Sequence, residues 1–419
     1  MKTLCASLVV GAAVVAMAGT PEISNFSAVQ ESQTRIVNVS YELSEAAIVT
    51  MEFLTNGVPV DTRVVRTVTG DVNKLVGAGA HTLKWWPYKD CPGAGKVANA
   101  TVRLTAWATN SPPLFMTVDL AAADSVRFYP SEDALPYPVT HDHWKLDMLL
   151  MKRVYAAGRE WRMGSPLTEG DRVANEVPHL VTLTEDFYMA VYPTTQKQYF
   201  LLMNANPSSF KDDISEIDRA ELFPVGGIPF KFIRGLPADG ADWPTKGHFV
   251  TAASFMGVLR SHAGNHVDFD LPTEAQWEFT CRADCGSKYY NSSDDGNMTT
   301  NIAWTSLNSY TDFYRDKGAE NGRSTHAVGL LQPNAWGFYD MLGNIREWVQ
   351  DYEGYTSDGT PDVDPVGPTT GTKRMLRGMA FFWNSAFSRC ARRDDVNTVS
   401  DGWNRNSSGF RIWAPAIVK

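Results

Sequence analysis

Cysteine and histidine are the side chains best suited to metal or redox chemistry, and this 419-residue chain has five cysteines and eight histidines. The spacing of the cysteines fits no zinc pattern. His262 and His266 are four residues apart, as two ligands on one helix face would be, but they lie in a glycine-containing turn. The histidines therefore predict no zinc or iron centre.

The start of the chain carries the pattern of an export signal. Met1-Lys2 is followed by an apolar run, Leu8–Ala16, and by the triplet Ala16-Met17-Ala18, so residues 1–18 are predicted to be a cleaved signal peptide. The run is too short to cross a bilayer. We therefore expect a secreted or periplasmic protein with no membrane span. In such an oxidising compartment, disulfides are the expected state of the four remaining cysteines, Cys91, Cys281, Cys285 and Cys390.

The charge of the chain argues against one class of partner. The formal net charge is −9 and no basic run occurs. Nucleic-acid binding requires clustered lysine and arginine side chains that displace counterions from phosphates. The sequence thus predicts no nucleic-acid partner. Separately, the hydrophobic content of 43% is ample for a packed core.

Two patterns divide the chain before residue 147. Residues 19–110 alternate apolar and polar side chains, which predicts a small all-β sandwich of the immunoglobulin or fibronectin type. The predicted strands are 35–43, 47–53, 81–86 and 100–107, with a turn signal at Thr55-Asn56-Gly57. Residues 111–146 are rich in proline and are predicted to be a linker without regular structure.

The remaining residues, 147–419, contain three motifs in a fixed order: Leu271-Pro-Thr-Glu-Ala-Gln-Trp-Glu-Phe279, Asn334–Trp348 and Gly409-Phe-Arg411. Together they resemble the formylglycine-generating enzyme, or sulfatase-modifying factor, family. The resemblance implies an α+β architecture in which a loop-rich, C-type-lectin-like domain follows the sandwich. Local signals agree, because Thr194 begins an amphipathic run to Met203, and Thr273 with Gln276 forms a capping-box pattern.

The resemblance also implies a disulfide and structural calcium. Cys281 and Cys390 match family positions that are bonded to each other, whereas Cys91 and Cys285 match no such positions and are either paired or free. One family calcium site maps to the side chains of Asp340 and Glu347 with the carbonyls of Gly343 and Ile345, and carboxylates around a glycine turn supply the oxygen ligands that calcium prefers. A second site maps to Asn301 and the Ile302 carbonyl, with Glu320 and Gly322 as remote partners.

The residues that carry the family's oxidation are missing. Formylglycine-generating enzymes oxidise a substrate cysteine with O₂ on copper(I), a soft ion held by two thiolates. The first thiolate position is Trp383 here, and the second falls in a shortened segment without cysteine. The family's serine is Ala380 and its active-site tryptophan is Arg346. Copper is therefore not expected, and no catalytic residue is assigned.

Residues 379–408 contain aromatic, arginine and asparagine side chains that suit a contact surface. The resemblance suggests that Arg377, Arg393 and the Gly409–Arg411 motif are structural and that Phe381 packs inside. The ligand-binding candidates are Trp383, Asn384, Arg393, Trp403, Asn404 and Arg346.

Three hypotheses follow. The first is an exported, non-oxidising family member that acts as a pseudoenzyme and binds a carbohydrate, a peptide or a surface protein. The second is an oxidative enzyme of the formylglycine-generating or non-haem-iron type that uses other residues. The third is a retroelement-diversified receptor on the same fold.

Overall fold

The computed structural model describes residues 12–14, 21–60, 65–90, 100–236, 238, 241, 248–354, 357–397 and 406–419. Its internal contacts divide the chain into two compact units. We call them the N-terminal unit, which comprises Met1–Thr117, Val126–His141 and Ala416–Lys419, and the C-terminal unit, which comprises Val118–Ser125 and Asp142–Pro415.

The N-terminal unit contains two β-sheets. Its elements are β1 Ala12–Val14, β2 Ile23–Gln30, β3 Val37–Leu43, β4 Ala47–Thr55, β5 Val58–Pro59, β6 Val68–Gly70, β7 Lys74–Val76, β8 Gly79–Trp85, the short helix α1 Pro87–Asp90 and β9 Ala100–Trp107. One sheet has the order β2-β3-β8-β6, and the other has the order β1-β9-β4-β5 with β7 also paired to β4. All pairs are antiparallel except β1 with β9.

Strand alternation explains why both sheets bury one face. Along β3 the side chains of Val37, Val39, Tyr41 and Leu43 are buried while those between them are more exposed. Strand β9 alternates in the same way, and the buried residues of both sheets form one hydrophobic cluster. Each of the four strands expected from the sequence is present, with ends shifted by two residues or fewer. The signal-peptide prediction falls mostly outside the described residues.

The segment predicted to be an irregular linker has regular structure, so that prediction was wrong. It contains strands β10 Phe115–Asp119 and β11 Val126–Tyr129, a 3₁₀ turn at Glu132–Ala134, and helix α2 His143–Leu146. Phe115, Phe128 and Leu135 are buried. The prolines flank the two strands and do not interrupt them, so each restricts only the backbone beside a strand.

The C-terminal unit mixes short strands and helices with long loops. Its further elements are β12 Met148–Val154, β13 Arg159–Met163, β14 His179–Leu183, β15 Phe187–Ala190, α3 Gln196–Met203, α4 Phe230–Ile233, α5 Phe255–His262, α6 Glu274–Arg282, α7 Asp312–Asp316, β16 Arg346–Tyr352, β17 Asp362–Val363, β18 Lys373–Arg377, β19 Asp394–Asn397, β20 Ser408–Phe410 and β21 Trp413–Pro415. Strands β12, β15 and β21 are neighbours in one sheet, β13, β14 and β17 form a second, and β19-β18-β16-β20 form a third.

Capping boxes fix where two helices begin. Thr273 accepts the Gln276 backbone N–H and Gln276 accepts the Thr273 backbone N–H, as the sequence predicted. Helix α3 begins in the same way, with Thr195 as its cap. Helix α6 is buried along almost its whole length, and its apolar side chains belong to a large hydrophobic cluster of the unit. Within the described part of the chain, every helix is too short or too polar to cross a bilayer.

Candidate functional site

The loop after β18 carries a group of aromatic rings that reaches the surface. The ring of Trp383 lies 5.7 Å from that of Phe382 and 5.5 Å from that of Phe387, measured between centroids. Phe382 is 41% exposed, Trp383 is half-buried and Asn384 is exposed. Beneath them, Phe381 is buried as predicted, in a cluster that also contains Phe210. The cluster thus supports a ring surface that solvent can reach.

A second loop lies beside this surface. The Trp383 carbonyl accepts the Ser306 N–H at 2.9 Å, and the Phe381 carbonyl accepts the Ser309 hydroxyl at 2.7 Å. The same loop exposes Leu307, which is 48% accessible. We call the group formed by Leu307, Phe382, Trp383, Asn384 and Phe387 the aromatic surface. Its rigid rings and one amide are the kind of side chains that form binding surfaces at low entropic cost.

Arg393 does not belong to that surface, so its prediction as an exposed ligand-binding residue was wrong. It is only 7% exposed, and it binds both carboxylate oxygens of Glu274 at 2.7 and 2.8 Å. Arg346 is also buried, with its guanidinium on Asp394 at 2.6 Å and on the Ser407 hydroxyl at 2.8 Å. Both arginines therefore hold the framework together. Trp403 and Asn404 lie outside the described residues.

Cys281 and Cys390 lie side by side as free thiols in the core. Both are 0% exposed, and their side chains hydrogen-bond to each other. Burial raises the pKa of Cys281, whereas the hydrogen bond from Cys281 lowers the pKa of Cys390. The structure brings the predicted partners together without a bond between them, so the disulfide stays a prediction. A substrate has no access to two thiols at this depth.

The carboxylates assigned to the first calcium site already have protein partners. Glu347 accepts from Arg411 at 2.8 to 3.2 Å and from the Trp277 indole at 2.6 Å. Asp340 accepts the Gly329 N–H at 2.7 Å and the Asn344 amide at 3.4 Å. Burial raises the pKa of Asp340 to about 6. Both carboxylates thus serve protein donors in this structure, and the calcium assignment stays a prediction.

The backbone oxygens assigned to the second calcium site also accept hydrogen bonds from protein donors. The Ile302 carbonyl accepts the Tyr290 hydroxyl at 2.8 Å, and the Gly322 carbonyl accepts the Thr311 N–H at 2.8 Å. The Asn301 carbonyl accepts the Gln332 N–H, while the side chain of Glu320 lies outside the description. Among the described residues, no group of three or more histidine, cysteine or acidic side chains converges as metal ligands do. The second calcium assignment likewise stays a prediction.

Helix α6 carries a buried ionic network that the sequence motifs did not predict. Arg377 donates to Glu274 at 2.8 Å and to Glu278 at 2.5 Å, and Arg282 donates to Glu278 at 2.8 Å. Burial by itself would raise the pKa of Glu274, but Arg393 and Arg377 hold it below its ordinary value. The i, i+4 spacing of the two glutamates on a helix with aromatic neighbours was the available signal, because buried carboxylates require cationic partners. Arg377 is structural, as predicted.

The fold and these motifs define a domain class that comparison with known proteins identifies. The model of the sulfatase-modifying factor enzyme 1-like domain matches residues 151–415. The chain therefore belongs to the FGE-sulfatase family. It is 34% identical over 285 residues to a formylglycine-generating enzyme of Streptomyces coelicolor. The alignment covers 62% of this chain and 88% of that protein.

Two further proteins extend the comparison. The bovine formylglycine-generating enzyme, from Bos taurus, is 28% identical over 270 residues, which cover 57% of this chain and 68% of that protein. Among solved structures, Treponema denticola variable protein 1 superposes with a TM-score of 0.50 at 20% identity and covers 64% of this chain and 95% of that one. At this identity the likeness extends to the fold alone.

Proposed function

We propose that this protein is an exported, non-oxidising member of the family that binds a carbohydrate, a peptide or a surface protein through the aromatic surface. One observation carries the proposal. The position of the family's first copper thiolate is occupied by Trp383, whose ring packs among Phe382 and Phe387. An indole supplies surface area for binding but no ligand for copper(I).

The thiols elsewhere in the described residues support this proposal. Copper(I) oxidation needs two thiolates that the substrate cysteine can approach. Cys281 and Cys390 are fully buried, and Cys285 donates to the Tyr289 carbonyl at 3.4 Å. The two structural units suggest a division of labour, in which an immunoglobulin- or fibronectin-like N-terminal unit presents the C-terminal unit outside the cell.

The decisive experiment combines metal analysis with an oxidation assay. The purified mature protein is loaded with copper(I), desalted and incubated with O₂ and a cysteine-containing peptide of the sulfatase type, with the Streptomyces coelicolor enzyme as the active control. We expect no retained copper and no O₂ consumption above the buffer rate. Stoichiometric copper together with conversion of the peptide cysteine would overturn the proposal.

The binding half of the proposal needs its own test. The protein and its Phe382→Ala variant are applied to arrays of glycans and of peptides. Phe382 is 41% exposed and its ring lies on that of the buried Phe381, so the melting temperature of the variant is measured alongside. The matched control is Phe313→Ala on α7, which is 36% exposed and outside the aromatic surface. We expect signals that Phe382→Ala reduces and Phe313→Ala does not.

Family membership favours a second candidate, an oxidative enzyme that uses residues other than the copper thiolates. The same assay decides this candidate, because turnover without copper would establish it. A third candidate is a receptor on the same fold whose ligand surface is diversified by a retroelement. That candidate requires a near-copy of the C-terminal coding segment, altered at adenines, beside the gene.

A further inference from the structure

The N-terminal unit contains a pocket between strand β4 and the segment around β11. Its volume is about 310 Å³. One wall consists of Met51 and Phe53 of β4 with Val68 and Val72, and the facing wall is built from the segment that follows β11. A concave site of this size, lined by apolar side chains together with several polar ones, is typical of small-molecule binding.

The second wall is held firmly in place. The Phe128 N–H donates to the Asn73 carbonyl at 2.8 Å, which ties β11 to the edge of the sandwich. Phe128 and Leu135 are 1% and 0% exposed, so they anchor the segment on both sides of the 3₁₀ turn. The ring of Tyr137 stacks on that of His141 at 4.5 Å. The pocket is therefore a built feature of this unit.

The charged side chains among the described lining residues are all positive. Arg66 and Arg127 line the pocket, and no aspartate or glutamate is among its described lining residues. Each guanidinium presents a planar fork of donors that matches a carboxylate. Arg127 uses one nitrogen on its neighbour's carbonyl, that of Val126, at 2.8 Å. Its remaining donors are available to bind an anion.

Two neutral donors complete the polar part of the lining. Burial raises the pKa of Tyr129, although the nearby charge of Arg127 partly opposes this, so the hydroxyl stays protonated at neutral pH. Asn73 adds a side-chain amide. Two arginines supply too few cations for a polyanion such as a nucleotide, so a ligand with one negative charge fits this lining better.

We propose that this pocket binds a small aromatic monocarboxylate, with the ring between Phe53 and the proline-containing wall and the carboxylate on Arg127. The site lies in the N-terminal unit and is independent of the aromatic surface. Binding there would give the segment once expected to be a linker a function of its own.

The test compares indole-3-acetate with indole-3-acetamide, which has the same ring but no charge, by isothermal titration calorimetry on the full-length mature protein. We expect the acid to bind at least tenfold more tightly than the amide. Arg127→Gln should weaken binding of the acid by tenfold or more and leave the amide unchanged. Arg103→Gln is the matched control, because Arg103 lies on β9 and pairs with Glu52 outside the pocket.

Melting temperatures of the variants accompany the titrations. If Arg127→Gln fails to fold, the exposed Arg66→Gln substitution takes its place, and a severalfold loss of acid binding is expected. Equal binding of acid and amide, absence of binding by both, or unchanged binding in a folded arginine variant would each overturn the proposal.

Discussion

The guanidinium of Arg411 binds both carboxylate oxygens of Glu347, at 2.8 Å for Oε1 and 3.1 Å for Oε2, in the interior of the C-terminal unit. Both residues are almost fully buried, at 0% and 1% side-chain exposure. The pair joins the Asn334–Trp348 motif to the Gly409–Arg411 motif in the interior of the unit.

Glu347→Gln should destabilise the protein by about 3 to 5 kcal/mol, because it leaves the Arg411 charge buried without its partner. The measurement is the free energy of unfolding from urea titration. Glu353→Gln is the control, since Glu353 is 44% exposed and pairs with Lys373 at 3.3 Å. That exposed pair contributes at most about 1 kcal/mol. Equal losses in the two variants would contradict the prediction.

Calcium should leave stability unchanged, because the carboxylates of Asp340 and Glu347 serve protein donors. A ligand at 100 times its dissociation constant would stabilise the folded state by about 2.7 kcal/mol. We expect no such gain when calcium is added to EDTA-treated protein in a thermal melt, with magnesium as the ionic-strength control. A calcium-specific rise in melting temperature would show that the oxygens rearrange around the ion.

Arg393→Gln should also cost about 3 to 5 kcal/mol, because Glu274 loses a bidentate partner in the core. The prediction separates a framework role from a ligand-binding one. Arg315→Gln, on a side chain that is 54% exposed, should change stability by less than about 1 kcal/mol. A stable Arg393→Gln protein with impaired ligand capture would restore Arg393 as a binding residue.

The buried carboxyl group of Asp351 should make the free energy of unfolding fall as pH rises. Burial, followed by the charge of Glu274, raises the pKa of Asp351 to about 7 from an ordinary value of 3.8. Between these two values the folded state keeps a proton that the unfolded state loses, so stability falls as pH rises and the cost is complete above about pH 7.

Asp351→Asn removes that titration. Relative to the wild type, the variant should gain more than about 1 kcal/mol of stability between about pH 5 and about pH 8. Urea unfolding at both pH values measures this gain. Asp312→Asn, on a carboxylate that is 71% exposed, should show no such pH-dependent difference. A parallel pH profile for wild type and Asp351→Asn would contradict the assignment.

The adjacent thiols of Cys281 and Cys390 should form the predicted disulfide when the protein is exported. The bond would close a loop of about 109 residues and stabilise by roughly 4 to 5 kcal/mol on the chain-entropy model. Peptide mapping without reductant should recover the cross-linked pair, and reduction should lower the melting temperature of the wild type but not of Cys281→Ser. Alkylation of both thiols in unreduced, unfolded protein would show that no bond forms.

Local patterns could predict much of this fold, because strand alternation and capping depend on neighbours in sequence. The four strands of the N-terminal unit and the cap at Thr273 are examples. The burial of Arg393 could not be predicted in this way, since its partner Glu274 is 119 residues away. Proline content likewise gave a wrong prediction of irregular structure at residues 111–146. Proline restricts single positions, and the apolar residues between the prolines still pack.

Arginines account for five of the twelve largest fully buried side chains of the described residues: Arg234, Arg374, Arg377, Arg389 and Arg411. Four of these have carboxylate partners, so replacing either member of such a pair leaves a charge without its counterion in the interior. Divergence at these positions must then proceed by simultaneous exchange of both members, while the loops above them change one residue at a time. The interior thus restricts which single substitutions the fold tolerates, whereas the exposed residues of the aromatic surface can change one at a time.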